Sequence, residues 1–269
     1  MGNSVSDEEK STILSVERAV ILLRKISLGK TPVGVRELAR STGYNPSTVQ
    51  KLINSLEVQG LVRQDEETSK YELGVEIFQL GASLLNQLDV HEVARPHLHQ
   101  LVRETEESAY LALLTPDLKR YVFIDKIESN HLLRWTADLG AWRPLNCTAE
   151  GKAALAYLPD EHLDDLKSEG LFRDTTPRSI TDTEELRRQL GAVREKGWAY
   201  SDEEFAEGVR AVAAPIFNYS GRVIGAISIV GPTLRMTDDA IASYSEVVKN
   251  EGKEISRELG FQEGEDIYG

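Results

Sequence analysis

The stretch ELARSTGYNPSTVQKLINSL, residues 37–56, leaves a chain few ways to fold. Apolar residues at 49, 52, 53 and 56 recur at the one-face spacing of a helix laid on a core. Asn45 can cap that helix, and Pro46 sits in its first turn, where a missing N–H costs nothing. A second helix, roughly Val35 to Thr42, precedes it and offers Leu38 and Ala39 for packing, with Gly43-Tyr44 turning the chain between the two. Upstream, STILSVERAVILLRKISL (11–28) reads as a helix capped by Ser11 and ended by Gly29, with Val16, Ala19, Val20, Leu23 and Ile26 as its apolar stripe. Downstream, 61–64 and 70–73 alternate around a polar loop, as a hairpin does. Three helices, a glycine turn and a trailing hairpin make a winged helix-turn-helix.

The opposite face of the third helix carries Ser47, Thr48, Gln50, Lys51 and Asn54, and no carboxylate. A solvated face would intersperse Glu with Lys; this one is suited to a polyanion. Gln50, Asn54 and Ser47 are placed to reach base edges in a major groove, Lys51 and Thr48 to reach phosphates. Arg63 and Lys70 flank the hairpin loop as candidate backbone contacts, and Arg36 and Asn45, at the starts of the second and third helices, complete the set. The loop itself, Asp65-Glu66-Glu67, is acidic and should stay off phosphates. The competing reading is a small helical bundle whose third helix is merely polar. Charge favours the first: residues 1–75 hold ten basic and ten acidic side chains, so the rest of the chain carries the whole net charge of -13.

From Gly74 to about Gln87, Val75, Phe78 and Leu85 repeat at helical spacing, with Leu84 and Leu88 beside them, giving more apolar surface than one face needs. Beyond it, a helix over 90–105, segments with strand character at 109–114, 120–127 and 131–137, helices near 150–157, 160–168 and 182–195, strands near 198–201, 209–217 and 222–230, and a last helix from Thr237 toward Leu259 describe an α+β sensor domain. No run approaches the ~18–20 apolar residues that a bilayer needs, and the first fifteen residues lack the pattern of a signal peptide, which predicts a cytoplasmic protein without membrane contact. Gly2 followed by Ser6 meets only the loose myristoylation pattern.

Chemistry is sparse. The pair Gly151-Lys152 is not a phosphate loop, because Asn146 and Ala153 stand where it needs glycine and Ser or Thr. His97 and His99 fall on different faces of one helix, and His91, His131 and His162 have no ligand spacing. The single cysteine, Cys147, has no partner marking it as a nucleophile. No enzyme, metal or cofactor is expected. PLNCTAEG, however, opens the helix KAALAYL with small residues and main-chain N–H groups, a start that either binds a small acceptor-rich ligand or is simply capped.

From about Ser15 to Glu258 the chain resembles the IclR family of bacterial and archaeal transcription regulators. The residues that carry the resemblance are SVERAVILL, ELARSTGYNPSTVQKLINSLEVQGLVRQDEETSKYELG, LGAWRPLNCTAEGKAALAYLP, TPRSITDTEEL and KGWAYSDEEFAEGVRAVAAPIFNYSGRVIGAISIVGP. The resemblance implies a DNA-binding domain over 1–73, a linker helix over 74–89, an effector-binding domain of GAF-like or profilin-like topology over 90–260 and a flexible tail over 261–269. It also implies dimers or tetramers on palindromic double-stranded operators, tuned by a small-molecule effector. The family's effector positions map onto Ala149, Gly151 and Ser228, with Leu132 a looser match. Departures cluster around them: Ser201 where Asp is frequent (Asp202 follows), Ala211 for cysteine, Val230 for the second serine, Asn146 for histidine, Glu150 for a small residue and Trp135 for an aliphatic one. These swaps remove hydrogen-bonding groups and add bulk, so the expected effector is larger and more apolar, or less anionic, than a small 2-oxo acid. Two other function classes remain open at this stage, a sensor signalling through protein partners and an enzyme using the helix start near 150.

Overall fold

The computed structural model describes residues 12–29, 31–85 and 89–262; Ser11, the Gly2/Ser6 pattern and most of the expected tail lie outside these. The chain divides into two compact units, Met1–Gln87 and Leu88–Gly269.

The first unit runs α1 (Leu14–Ser27), α2 (Val35–Thr42), α3 (Pro46–Val58), β1 (Val62–Gln64), β2 (Tyr71–Leu73) and α4 (Val75–Leu85). Gly43 ends α2 at φ 72°, a left-handed conformation that glycine adopts without strain and that turns the chain sharply into α3. Leu22, Ile26, Leu38, Val49, Ile53, Leu56, Val62 and Tyr71 form the core. The strands pair antiparallel, with Arg63 opposite Glu72. The stripe expected for α1 holds at Ala19, Leu23 and Ile26, which pack on this core, and fails at Val16 and Val20. Leu22 and Ile26, one turn apart, are its buried residues, whereas Val16 and Val20 are 57% and 41% exposed. The helix is rolled so that 22 and 26 meet the core and the 13-16-20 edge faces outward. It begins after Ile13, which makes no side-chain cap.

The second unit runs α5 (Asp89–Thr105), β3 (Ser108–Leu114), β4 (Tyr121–Ile127), β5 (Trp142–Arg143), α6 (Ala149–Leu155), α7 (Asp160–Ser168), α8 (Thr183–Lys196), β6 (Ala199–Asp202), β7 (Val209–Phe217), β8 (Val223–Pro232) and α9 (Asp238–Glu258). Its six strands form one antiparallel sheet in the order β5-β4-β3-β8-β7-β6, the expected α+β class. Both faces are covered. Tyr110 and Ala112 of β3 join a core with α6, α7 and α8, while the alternate residues Ala109 and Leu111 join a second core with α5 and α9. That is why β7 and β8 read as continuous apolar runs rather than alternating ones.

Two expectations are corrected here. Residues 131–137 form no strand. The main-chain oxygen of Trp135 instead accepts from the hydroxyls of Ser108 and Tyr110, and that of Glu106 accepts from Ser129, so side chains hold this segment where a partner strand was expected. Nor is the start of the tail loose: Phe261 stacks on Phe217 at 5.0 Å, and its N–H donates to the Ser256 carbonyl.

Candidate DNA-reading face and effector cavity

In the first unit, α3 is fixed by Val49, Ile53 and Leu56 and capped by Asn45, whose Oδ1 accepts from the Ser47 N–H at 3.0 Å and its hydroxyl at 2.8 Å. Asn45 is therefore spent on the cap and holds Ser47 at the helix entrance. Gln50 and Asn54, one turn apart, are bonded to each other: Gln50 Nε2 donates to Asn54 Oδ1 at 2.7 Å, and to the Tyr71 hydroxyl of the hairpin at 3.2 Å. These bonds hold the Gln50 and Asn54 amides in fixed relation on α3. Lys51 is exposed, as are Arg36 and Lys70, and Thr48 is half-buried. Exposed Glu57 stands one turn beyond Asn54 on the same stripe, so the carboxylate-free surface spans the first turns of α3 and no more. Arg63 pairs across the hairpin with Glu72 at 2.6 Å, so its charge is already engaged. At the loop tip Asp65 accepts from the Thr68 N–H and hydroxyl, and these bonds hold its carboxyl below the usual range.

In the second unit, a cavity opens beneath the start of α6. Its free interior is about 30 Å³ within about 340 Å³ of atom-free space that is partly open to solvent. Tyr121 and Phe123 of β4, Trp135, Arg143 of β5, Ser201 of β6, Phe205, Val209 and Val230 wall it, together with Thr148, Ala149 and Glu150 of the helix start. The two outer strands of the sheet, β5 and β6, thus both contribute to one site.

The helix start is not vacant. Thr148 caps it, accepting from the Gly151 N–H at 3.1 Å and donating to the Pro144 carbonyl at 2.8 Å. Glu150 turns inward and is fully enclosed. Its Oε1 accepts from the Ser228 hydroxyl at 2.6 Å and its Oε2 from the Tyr121 hydroxyl at 3.1 Å. Burial pushes its carboxyl above the ordinary range, opposed by the bond from Ser228, by its own main-chain N–H, by Tyr121 and by the charge of Arg143. Arg143 contributes a guanidinium 5.2 Å over the Phe205 ring; its Nε is buried and has no hydrogen-bond partner. Ser201 is held only by a long 3.4 Å contact to the Cys147 carbonyl. Burial raises the Cys147 thiol to about 12, which removes it as a nucleophile.

Of the sequence-predicted effector residues, Trp135, Ala149, Glu150, Ser201, Ala211 and Val230 line the cavity. Ser228 is buried behind Glu150 and reaches the cavity only through it. Four others serve elsewhere. Leu132 is fully exposed. Asn146 is consumed in bonds to Arg173 and Ile180, which pin the segment before α8. Gly151 is required by close packing, since a Cβ there would lie 2.5 Å from the Leu145 main chain. Asp202 pairs with Arg178 and Arg210, pointing the opposite way from its neighbour Ser201 on β6. Sequence reasoning missed Tyr121, Phe123, Arg143, Thr148, Phe205, Ala206 and Val209. Alternation along β4 places Tyr121 and Phe123 on one face and was the signal available, whereas Arg143 depends on how an outer strand closes over α6.

Lys152 lies on the far side of α6 and is 1% exposed. Its Nζ donates to Glu204 at 2.6 Å and to Gln189 at 2.9 Å, tying α6 to α8 and to the turn after β6. Burial pulls the lysine down and pushes Glu204 up, and their mutual attraction opposes both shifts.

Residues 15–66 match the IclR helix-turn-helix domain, and residues 82–257 match the family described as bacterial transcriptional regulator IclR C-terminal. The HTH-type transcriptional regulator KdgR of Escherichia coli (strain K12) is 31% identical over 263 residues, covering 98% of this chain and 99% of that protein. The transcriptional repressor IclR of the same organism is 31% identical over 248 residues, covering 92% and 90%. The crystal structure of an IclR transcriptional regulator from Alicyclobacillus acidocaldarius aligns with TM-score 0.83 at 30% identity, over 93% of this chain and 100% of that one. Two independently matched domains, in this order over nearly the whole length, place the chain in the IclR family of DNA-binding transcriptional regulators, non-enzymes with a C-terminal effector-binding domain.

Proposed function

We propose that this regulator binds a palindromic operator as a homodimer or a dimer of dimers, and that a small metabolite entering the cavity under α6 changes its affinity for that operator. The observation that carries the reading is the surface of α3: Gln50 and Asn54, locked to each other at 2.7 Å, stand beside exposed Lys51 with no carboxylate among them. Such a surface hydrogen-bonds base edges and attracts phosphates. Oligomerisation is supported by the outward apolar edge of α1 (Ile13, Leu14, Val16, Val20 and Ile21) and by Val75, Phe78 and Leu80 of α4. Residues 74–89 serve as the link between the reading head and the sensor, and the protein works in the cytoplasm. No described helix is long and apolar enough to cross a membrane.

Nuclease footprinting of the purified protein on its own upstream region, at low salt, tests this. Protection of two half-sites about 34 Å apart is expected. Absence of protection with and without metabolites would overturn the reading and favour a sensor that acts through protein partners.

A further inference from the structure

The cavity contains a carboxyl group of its own. Glu150 Oε1 sits on the Ser228 hydroxyl at 2.6 Å and Oε2 on the Tyr121 hydroxyl at 3.1 Å, and the side chain is as buried as the core around it. Ser228 and Tyr121 are the donors that an incoming small carboxylate would need in that corner, and both are committed. Across the cavity the reverse holds. Arg143 forms no ion pair within 4 Å among the described residues, although its charge attracts the Glu150 carboxyl at longer range; its one described side-chain hydrogen bond is to the neighbouring Trp142 carbonyl at 3.2 Å, and its buried Nε is unpartnered. A buried donor left unmade costs about 1–3 kcal/mol, so such groups are normally matched by something. Around Arg143 the walls are Phe205, Trp135, Val209, Ala211 and Val230, flat or aliphatic and nearly without polar atoms.

We propose that Glu150 acts as a built-in occupant of the Ser228 corner, excluding 2-oxo acids the size of pyruvate, and that the effector is a monoanion with a flat apolar body whose carboxylate pairs with Arg143 while its body lies among Trp135, Phe205 and Val209. The proposal rests on the effector-cavity reading above. A guanidinium suits this role because its planar fork accepts a carboxylate edge-on while its face remains on the Phe205 ring. The free interior of about 30 Å³ is too small for such a body, so the half-buried Arg143 and Phe205 must shift together, their stacking kept, to widen the cavity around it. Selectivity follows from an element set against the smaller ligand as well as from attraction to the larger one.

The test is calorimetry on the intact oligomer without DNA, with pyruvate, benzoate, phenylacetate and 3-phenylpropionate as probes. The wild-type protein should bind at least one aromatic monoacid and give no heat with pyruvate. Arg143→Met should weaken the aromatic acid at least tenfold, and Arg143→Lys should weaken it less. Glu150→Ala should gain pyruvate binding by freeing Ser228, whereas Glu150→Gln, which keeps the shape of the occupant, should not. If Glu150→Ala does not fold, Glu150→Ser vacates the same corner and should show the same gain. Wild-type binding of pyruvate as tight as that of the best aromatic acid, silence with all three aromatic acids, an Arg143→Met affinity equal to wild type, or no gain of pyruvate in the vacated variants would each overturn the proposal. Because no DNA is present, failure here is separate from failure of the footprint.

Discussion

Gln50 and Asn54, in the proposed reading of α3, form a pre-ordered pair: the hydrogen bond between them restrains both side chains, so they do not have to be ordered when DNA arrives. Gln50→Ala or Asn54→Ala should therefore cost ~1–3 kcal/mol at the operator and little on unrelated DNA, whereas Lys51→Ala should weaken all sequences and lower the salt slope by about 1. Gel-shift titrations at several salt concentrations separate the two behaviours, and neutrality of both amides at the operator would show that another face of α3 reads the bases. Glu150 gives a second prediction. Its folded-state value lies above the free value of 4.5 because burial penalises the charged form. Folding is then favoured while the group is protonated, and that contribution is lost as pH rises through the raised value. The melting temperature of Glu150→Gln relative to wild type should climb as the pH is raised above 4.5, and a difference independent of pH would refute the assignment.

Among the elements, α3, β7 and β8 were legible in the sequence because a single periodicity dominates each. The first has one apolar stripe, and the two strands have unbroken apolar runs because both of their faces are covered. In α1 the pattern is ambiguous: Val16, Ala19, Val20, Ile21, Leu22, Leu23 and Ile26 surround most of the helix, so spacing cannot choose the buried side, and packing against the rest of the head decides it. The loop over 131–137 was misread as a strand because the main-chain oxygens of Leu133, Trp135 and Ala137 accept from side chains of distant segments, which no local pattern encodes. The outward side of α1 makes its own prediction: Val16→Lys with Val20→Lys should reduce the oligomer in sedimentation while leaving the thermal transition nearly unchanged, since both positions are already exposed. At α6, Lys152→Met leaves Glu204 buried and unpaired and should cost ~3–5 kcal/mol in chemical denaturation, most of it recovered in Lys152→Met with Glu204→Leu.

For the whole molecule, the uneven charge fits DNA contact by the head: a body carrying the net -13 is repelled by a polyanion, so in the proposed mechanism an effector bound there acts through the protein rather than by touching DNA. Coupling of this kind is reciprocal. Whatever factor a saturating effector changes in operator affinity, saturating operator should change in effector affinity, and unequal factors from paired titrations would rule out a simple two-state linkage. The cavity adds a geometric consequence. Arg143 and Ser201 belong to strands at opposite margins of one six-stranded sheet, which face each other only because the sheet is rolled. On the reading proposed above, a molecule wedged there would act like the object between the jaws of a caliper, its width setting how tightly the roll closes. The reverse surface of that roll is the seat of α5, the first helix after the boundary between the units, so the same reading expects a difference of one ring's breadth in the guest to reach that helix as a tilt.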